Sequence, residues 1–152
     1  MKNIDVKIKR LRDQAVIPYY ATEGSAGMDL TAAIPEPVTL APNEIGKIPT
    51  GIAIGIENPH IGAFVYPRSG LSSKFGISLI NSVGVIDSDY TGEIICPIVN
   101  HSETEYVIQP GDRIAQLVFH PVYKVAFHEA DSLEKTDRGA GGFGSSGLGS
   151  TR

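Results

Sequence analysis

The sequence predicts an all-β domain, an antiparallel sandwich, jelly roll or barrel, and three observations carry that prediction. Apolar residues recur every second position, as where Ile52, Ile54 and Ile56 alternate with Ala53, Gly55 and Glu57. That period places successive side chains on opposite faces of a strand. The apolar runs are short and closely spaced, the pattern of a sheet meander rather than of helices. Turn signals separate them, at Pro35–Pro37, Ala41–Glu44, Glu57–His60 and Gln109–Asp112, where Pro and Gly break regular pairing.

Taken in order, Ile4, Val6 and Ile8 alternate with Asp5, Lys7 and Lys9 and read as a first strand. The Ile52–Ile56 run is a second, and Ala63–Tyr66 a third. Ser69–Phe75 is the one plausible helix, a turn or two whose serines can cap the first N–H groups. Ile77–Ile80 is again strand-like. Val83–Ile86 and Ile94–Ile95 flank a polar turn and read as a β-hairpin, with Asp, Ser and Gly supplying the turn. Glu93–Val99, Tyr106–Ile108 and Ile114–Phe119 complete the strand-like runs. From Arg138 onward the chain is RGAGGFGSSGLGSTR, too rich in Gly and Ser to bury a core. The chain therefore divides into a body, 1–137, and a flexible Gly-rich arm, 138–152.

At 152 residues the chain is most simply one domain. The net charge of -4 argues against a general nucleic-acid binder, which would show a basic face. A single nucleotide needs only a few placed cations. Cys96 is the sole cysteine, so no intrachain disulfide forms and a reducing, cytoplasmic setting is expected. The charged N-terminus lacks the apolar core of a signal peptide, and no run of apolar residues is long enough to span a membrane. His60, His101, His120 and His128 form no HExxH or close His/Cys grouping, so protein-ligated zinc is not expected. Gly142-x-Gly144-x-x-Gly147 is a literal GxGxxG, but no strand–helix unit surrounds it and a dinucleotide fold is rejected.

Five segments carry more polar specificity than a sandwich requires. In AGMDL, Asp29 sits between apolar residues and either caps a turn or faces a cation. In PRSGLSSKFGI, Arg68 offers a forked donor, Ser69 and Ser72 offer hydroxyls, and Gly70 permits close backbone approach. A helix start there would favour a phosphate, or the segment is only a capped turn. In NSVGVIDSDYTGEI, Asp87, Asp89 and Tyr90 gather at one tip. In PGDRIAQLVFHPV, Gln116 interrupts an apolar strand, as a structural network member or a phosphate donor. The fifth is the glycine-rich arm, where Phe143 is an aromatic that a pure spacer has no use for.

In order and spacing these five segments resemble the five motifs of the trimeric dUTP pyrophosphatases, and the resemblance covers essentially the whole chain. It implies a jelly-roll β-barrel that hydrolyses dUTP to dUMP and pyrophosphate with Mg²⁺, in a homotrimer whose active sites lie between subunits. By the same resemblance Asp87 orients and deprotonates the attacking water, and Tyr90 packs under the deoxyribose and excludes a ribose 2′-hydroxyl. Asn81 pairs with the uracil edge, aided by backbone groups around Val85, Ile86 and Ile95. Arg68, Ser69, Gly70 and Gln116 bind phosphates, and Asp29 holds the metal through water, the triphosphate being its main ligand. In the arm, Phe143 stacks on uracil while Arg138, Gly144, Ser145 and Ser146 close over the phosphates. Two alternatives stand beside this reading. A dCTP deaminase of the same fold would need a catalytic carboxylate, for which Glu93 is the candidate; a non-catalytic regulator would bind dUTP and signal through a partner.

Overall fold

The computed structural model describes residues 4–142. Ten strands and one helix follow one another: β1 (Lys7–Arg10), β2 (Met28–Thr31), β3 (Val38–Leu40), β4 (Ile45–Gly55), β5 (Ile61–Pro67), α1 (Ser69–Phe75), β6 (Ile77–Leu79), β7 (Gly84–Ile86), β8 (Glu93–Asn100), β9 (Tyr106–Ile108) and β10 (Arg113–Pro121). One antiparallel sheet has the order β1-β4-β8-β6, a second the order β2-β10-β5-β7, and β3 pairs with β9 in a two-stranded ribbon. This is the all-β jelly-roll arrangement expected, with its sheets left open rather than closed into a barrel. Among the described residues, no helix is long and apolar enough to cross a membrane.

The core draws on both sheets. Ile48, Ile52, Cys96 and Ile98 come from β4 and β8, and Leu30, Ala63, Ile86 and Leu117 from the other sheet; all are buried. Each large aliphatic chain withdrawn from water contributes roughly 1.5–3 kcal/mol. Burial also pushes the Cys96 thiol up to about 12, which leaves it protonated and inert at neutral pH. Asn100, fully buried, donates to the Leu40 carbonyl at 2.9 Å and the Thr104 carbonyl at 2.8 Å, and accepts from the Ser102 N–H at 2.9 Å. It ties the end of β8 to the β3 ribbon without leaving a polar atom unpaired.

Three expectations are corrected. The Val83–Ile86 and Ile94–Ile95 runs do not form a hairpin: β7 pairs with β5, whereas β8 pairs with β4 and β6. The polar tip is therefore an arch that carries the chain from one sheet to the other. The serines of α1 do not cap it: Arg68 stands at the N-cap with no side-chain bond, and Ser73 Oγ instead donates to the Ser69 carbonyl at 2.7 Å. Gly76, at φ 68°, ends the helix in the left-handed region, where glycine avoids the Cβ penalty. Finally, the first strand begins at Lys7 rather than Ile4; β1 is exposed along its length and is held by backbone pairing to β4.

Register shifts in β4 between Pro49 and Ala53. At Gly51, φ is 71°, and a Cβ would come within 2.7 Å of the Ala15 Cβ and 2.8 Å of the Ala33 Cβ. That close approach lets the Leu11 N–H reach the Gly51 carbonyl at 2.7 Å. The N-terminal segment is thereby seated behind the arch.

Candidate active site

The arch forms one wall of an open cleft of about 300 Å³. Asn81, Val85, Asp87, Tyr90 and Ile95 line it, and the buried Ile86 anchors it to the core. Strands β7 and β8 diverge here into their two sheets, so their backbones form facing walls with a gap between them. The Tyr90 N–H donates to the Asp87 carbonyl at 3.1 Å, a turn that sets the Asp87 side chain at the tip. Asp87 is exposed, and among the described residues its carboxylate takes part in no ion pair. Tyr90 Oη donates to the Glu93 carbonyl at 2.9 Å, which lays the ring along the arch. The expected base and sugar residues thus share one cleft built by one chain.

Glu93 also borders this cleft, but its carboxylate is committed elsewhere. Arg12 donates to it as a fork, Nε to Oε1 at 2.7 Å and Nη2 to Oε2 at 3.0 Å, and the Gly51 N–H donates to Oε1 at 3.0 Å. The Arg12 hydrogen bonds hold the Glu93 carboxyl below its ordinary range; partial burial opposes this, and the Gly51 bond and the Arg12 charge add to it.

A second cluster lies on the other sheet. Asp29 on β2 forms an ion pair with Arg68 Nε at 2.8 Å and accepts a hydrogen bond from Arg113 Nη1 at 3.2 Å. Arg68 Nη1 also donates to the Arg113 carbonyl at 3.1 Å. Gln116, paired with Asp29 in the β10–β2 register, donates from Nε2 to the Pro67 carbonyl at 3.0 Å. Asp29 therefore sits in a strand rather than capping a turn, and it orients two guanidinium groups. Ser69 and Gly70 open α1 beside them and are exposed. A Cβ on Gly70 would meet nothing within 4 Å, although glycine in a helix is less favourable than alanine by roughly 0.5–1 kcal/mol. Nothing among the described residues requires a glycine there.

The two groups stand at opposite ends of β5. Its pairing with β7 sets Val65 opposite Gly84 and Ala63 opposite Ile86, so Asp87 falls next to Gly62 while Arg68 follows the far end at Pro67. Six residues of strand separate those ends, about 20 Å at roughly 3.3 Å per residue. Asp87 and Arg68 of one chain are thus farther apart than adjacent phosphates of one nucleotide. Arg138 lies apart from both, on an exposed stretch, and its Nε donates to the Gly141 carbonyl at 3.0 Å. Phe143, Gly144, Ser145 and Ser146 lie outside the described residues.

Sequence reasoning missed Arg113 and the Arg12–Glu93 fork. A bulge between Arg113 and Ala115 breaks the alternation of β10, so parity along the sequence does not place Arg113 with Asp29. Arg12 and Glu93 are 81 positions apart, and no local pattern joins them.

Comparison with known proteins agrees with this architecture. The dUTPase family model matches residues 13–147. The deoxyuridine 5'-triphosphate nucleotidohydrolase of Desulfitobacterium hafniense is 51% identical over 150 residues, covering 97% of this chain and 99% of its own. The enzyme of the same name from Shigella flexneri is 49% identical over 149 residues, covering 97% of this chain and 98% of its own. Among solved structures, the Staphylococcus bacteriophage 80alpha dUTPase with dUpNHpp superposes with a TM-score of 0.87 at 29% identity, covering 95% of this chain and 99% of that one. A mutant dUTPase of phage phi11 of S. aureus, described with a coordinated structural Mg(II) ion, gives 0.78 at 25% identity, covering 86% of this chain and 99% of that one. The chain belongs to the dUTPase family.

Proposed function

We propose that the chain hydrolyses dUTP to dUMP and pyrophosphate, with Asp87 as general base. The observation that carries this is the cleft, which offers on one arch an amide at Asn81, a flat ring at Tyr90 and, at Asp87, a carboxylate with no ion-pair partner among the described residues. Asn81 can donate and accept toward the uracil edge, which disfavours cytosine. With uracil seated between them, the facing backbones of β7 and β8 would meet the 5-methyl group of thymine. The Tyr90 ring packs under the deoxyribose where a 2′-hydroxyl would collide. Asp87 takes a proton from water as the water oxygen bonds the α-phosphorus and the α–β anhydride bond breaks, releasing pyrophosphate.

Arg68, Ser69, Gly70 and Gln116 receive the phosphates. A forked guanidinium matches two phosphate oxygens, and the backbone at Gly70 stays open for close approach. Mg²⁺ fits the donor set in one way only. Among the described residues, no three His, Cys, Asp or Glu side chains are grouped to cage an ion, and Asp29 is already shared by two arginines. The triphosphate would therefore carry the ion, with Asp29 reaching it through water, as suits a cation that dehydrates reluctantly. When bound, the ion offsets phosphate charge and steadies the leaving pyrophosphate.

Since Asp87 and Arg68 stand at opposite ends of β5, one nucleotide meets both only if they come from different copies. A homotrimer with sites between subunits satisfies this. The stretch after β10 supports it: Tyr123, Val125 and Phe127 alternate like a strand, yet Tyr123 is 90% and Phe127 94% exposed, surface that a second copy would cover. The Gly-rich arm, 138–152, would close over the bound nucleotide, Phe143 on the base and Arg138 with Gly144, Ser145 and Ser146 on the phosphates. The deaminase alternative is disfavoured because both Glu93 oxygens are engaged. The test is release of pyrophosphate and of ammonia from dUTP, UTP, dTTP and dCTP, with and without Mg²⁺. Pyrophosphate from dUTP alone is expected, stimulated by Mg²⁺; ammonia from dCTP would reverse the assignment.

A further inference from the structure

Gly92 follows Tyr90 in the arch, and its backbone gives no reason for a glycine, since its φ is not among the left-handed ones. The reason is space. A Cβ on Gly92 would stand 2.5 Å from Tyr90 Oη, 2.7 Å from Cζ and 3.0 Å from Cε2. The ring therefore rests directly on the Gly92 backbone, closer than any side chain permits. Its second restraint is the bond from Tyr90 Oη to the Glu93 carbonyl at 2.9 Å. The residue bearing that carbonyl is itself fixed, because its carboxylate is gripped by the Arg12 fork and the Gly51 N–H. Ring, glycine and carbonyl thus form one stack within the arch, backed by the seated N-terminal segment.

We propose that Gly92 is a positioning residue that sets sugar selectivity: by omitting a Cβ it lets the Tyr90 ring stay seated against the arch, bonded to the Glu93 carbonyl, where it admits a deoxyribose and excludes a ribose. This rests on the reading of Tyr90 as the sugar discriminator. The ring is about half exposed, at 47%, so a methyl group at position 92 displaces it outward without crowding the core. The hydroxyl then leaves the Glu93 carbonyl, and space for a 2′-hydroxyl opens.

The test is Gly92→Ala, assayed for kcat/KM on dUTP and on UTP with Mg²⁺, beside Tyr90→Ala, the double variant and thermal melts. Gly92→Ala is expected to lower the dUTP-to-UTP preference by about tenfold, the scale on which a pocket senses one small group, with little change in melting temperature. In the Tyr90→Ala background the same substitution should leave the preference unchanged, because its clash partner is gone. An unaltered preference in Gly92→Ala, or an equal loss on both substrates, overturns the proposal. So does a further shift in the double variant, which would mean Gly92 acts through the backbone. If Gly92→Ala alone does not fold, the double variant must fold and match the preference of Tyr90→Ala; otherwise the proposal is wrong. An unchanged preference in Tyr90→Ala itself would instead sink the discriminator reading.

Discussion

The cleft at the arch and the arginine cluster around Asp29 are built on opposite physical principles. The cleft is a gap between diverging sheets, lined by apolar side chains and backbone, and its one free charge, Asp87, stands without an ion-pair partner among the described residues. The cluster keeps one positive charge uncompensated: two guanidinium groups share one carboxylate, and Gln116 is tied to a backbone carbonyl. The cleft suits a flat, nearly neutral base and a sugar. The cluster suits a polyanion, since the arginines are already aimed and can exchange part of their contact with Asp29 for phosphate oxygens. On the proposed function, their separation along β5 gives each chain two half-sites, a nucleoside half and a phosphate half, to be completed by other copies.

The largest effect should come from the nucleoside half. Asp87→Asn keeps the shape of the arch and removes the base, so kcat is expected to fall by roughly 10²–10⁴. Titration with a non-hydrolysable dUTP analogue should give nearly unchanged affinity; near-normal turnover would take Asp87 out of the role. Truncation after Asp137 is next. If the arm closes on both halves once they are filled, kcat should drop by about 10²-fold while dUTP binding, read by calorimetry, persists. Hydrolysis at close to the full-length rate would make the arm a spacer.

Arg68→Ala separates the halves more cleanly. Loss of a charge-assisted contact of about 1.5–3 kcal/mol should weaken dUTP binding roughly 10- to 100-fold and leave deoxyuridine binding unchanged. A parallel loss for deoxyuridine would mean that the two regions are one site within the chain. The smallest effect concerns the fork behind the arch. Since Arg12 lowers the Glu93 carboxyl from its ordinary 4.5, the folded state binds that proton less readily than the unfolded one. The stabilisation is then present above about 4.5 and fades as pH falls through the folded value. Thermal melts of Glu93→Gln and the parent chain should differ slightly at neutral pH and converge in acid; a gap that widens in acid contradicts the fork.

Much of the arch and its cleft was legible in the sequence because it is local. Asn81 to Ile95 is one stretch, and the turn chemistry of Asp87, Ser88 and Gly92 places polar groups at its tip. What the sequence concealed was pairing partners. A period of two says which face a side chain takes but not which strand lies alongside, so an arch between sheets looked like a hairpin. Strands β2 and β3 went unread because each buries a single fully enclosed residue, Leu30 and Leu40. The ion pairs of Asp29 depend on β2, β10 and β5 lying side by side, a long-range fact that spacing cannot supply. Gly92 looked like any turn glycine; only the ring resting on it distinguishes it.

The central claim is that a working site takes Asp87 from one copy and Arg68 from another, and mixing chains tests it most directly. Asp87→Asn and Arg68→Ala chains, each feeble alone at dUTP concentrations far below saturation, are unfolded together, refolded as a mixture and assayed for pyrophosphate release from dUTP under those conditions. In mixed assemblies some sites unite an intact Asp87 with an intact Arg68, so activity well above the sum of the two separately refolded variants is predicted. Activity no greater than that sum, in mixtures shown to contain both chains in one assembly, would place both residues of each site in the same chain and contradict the account.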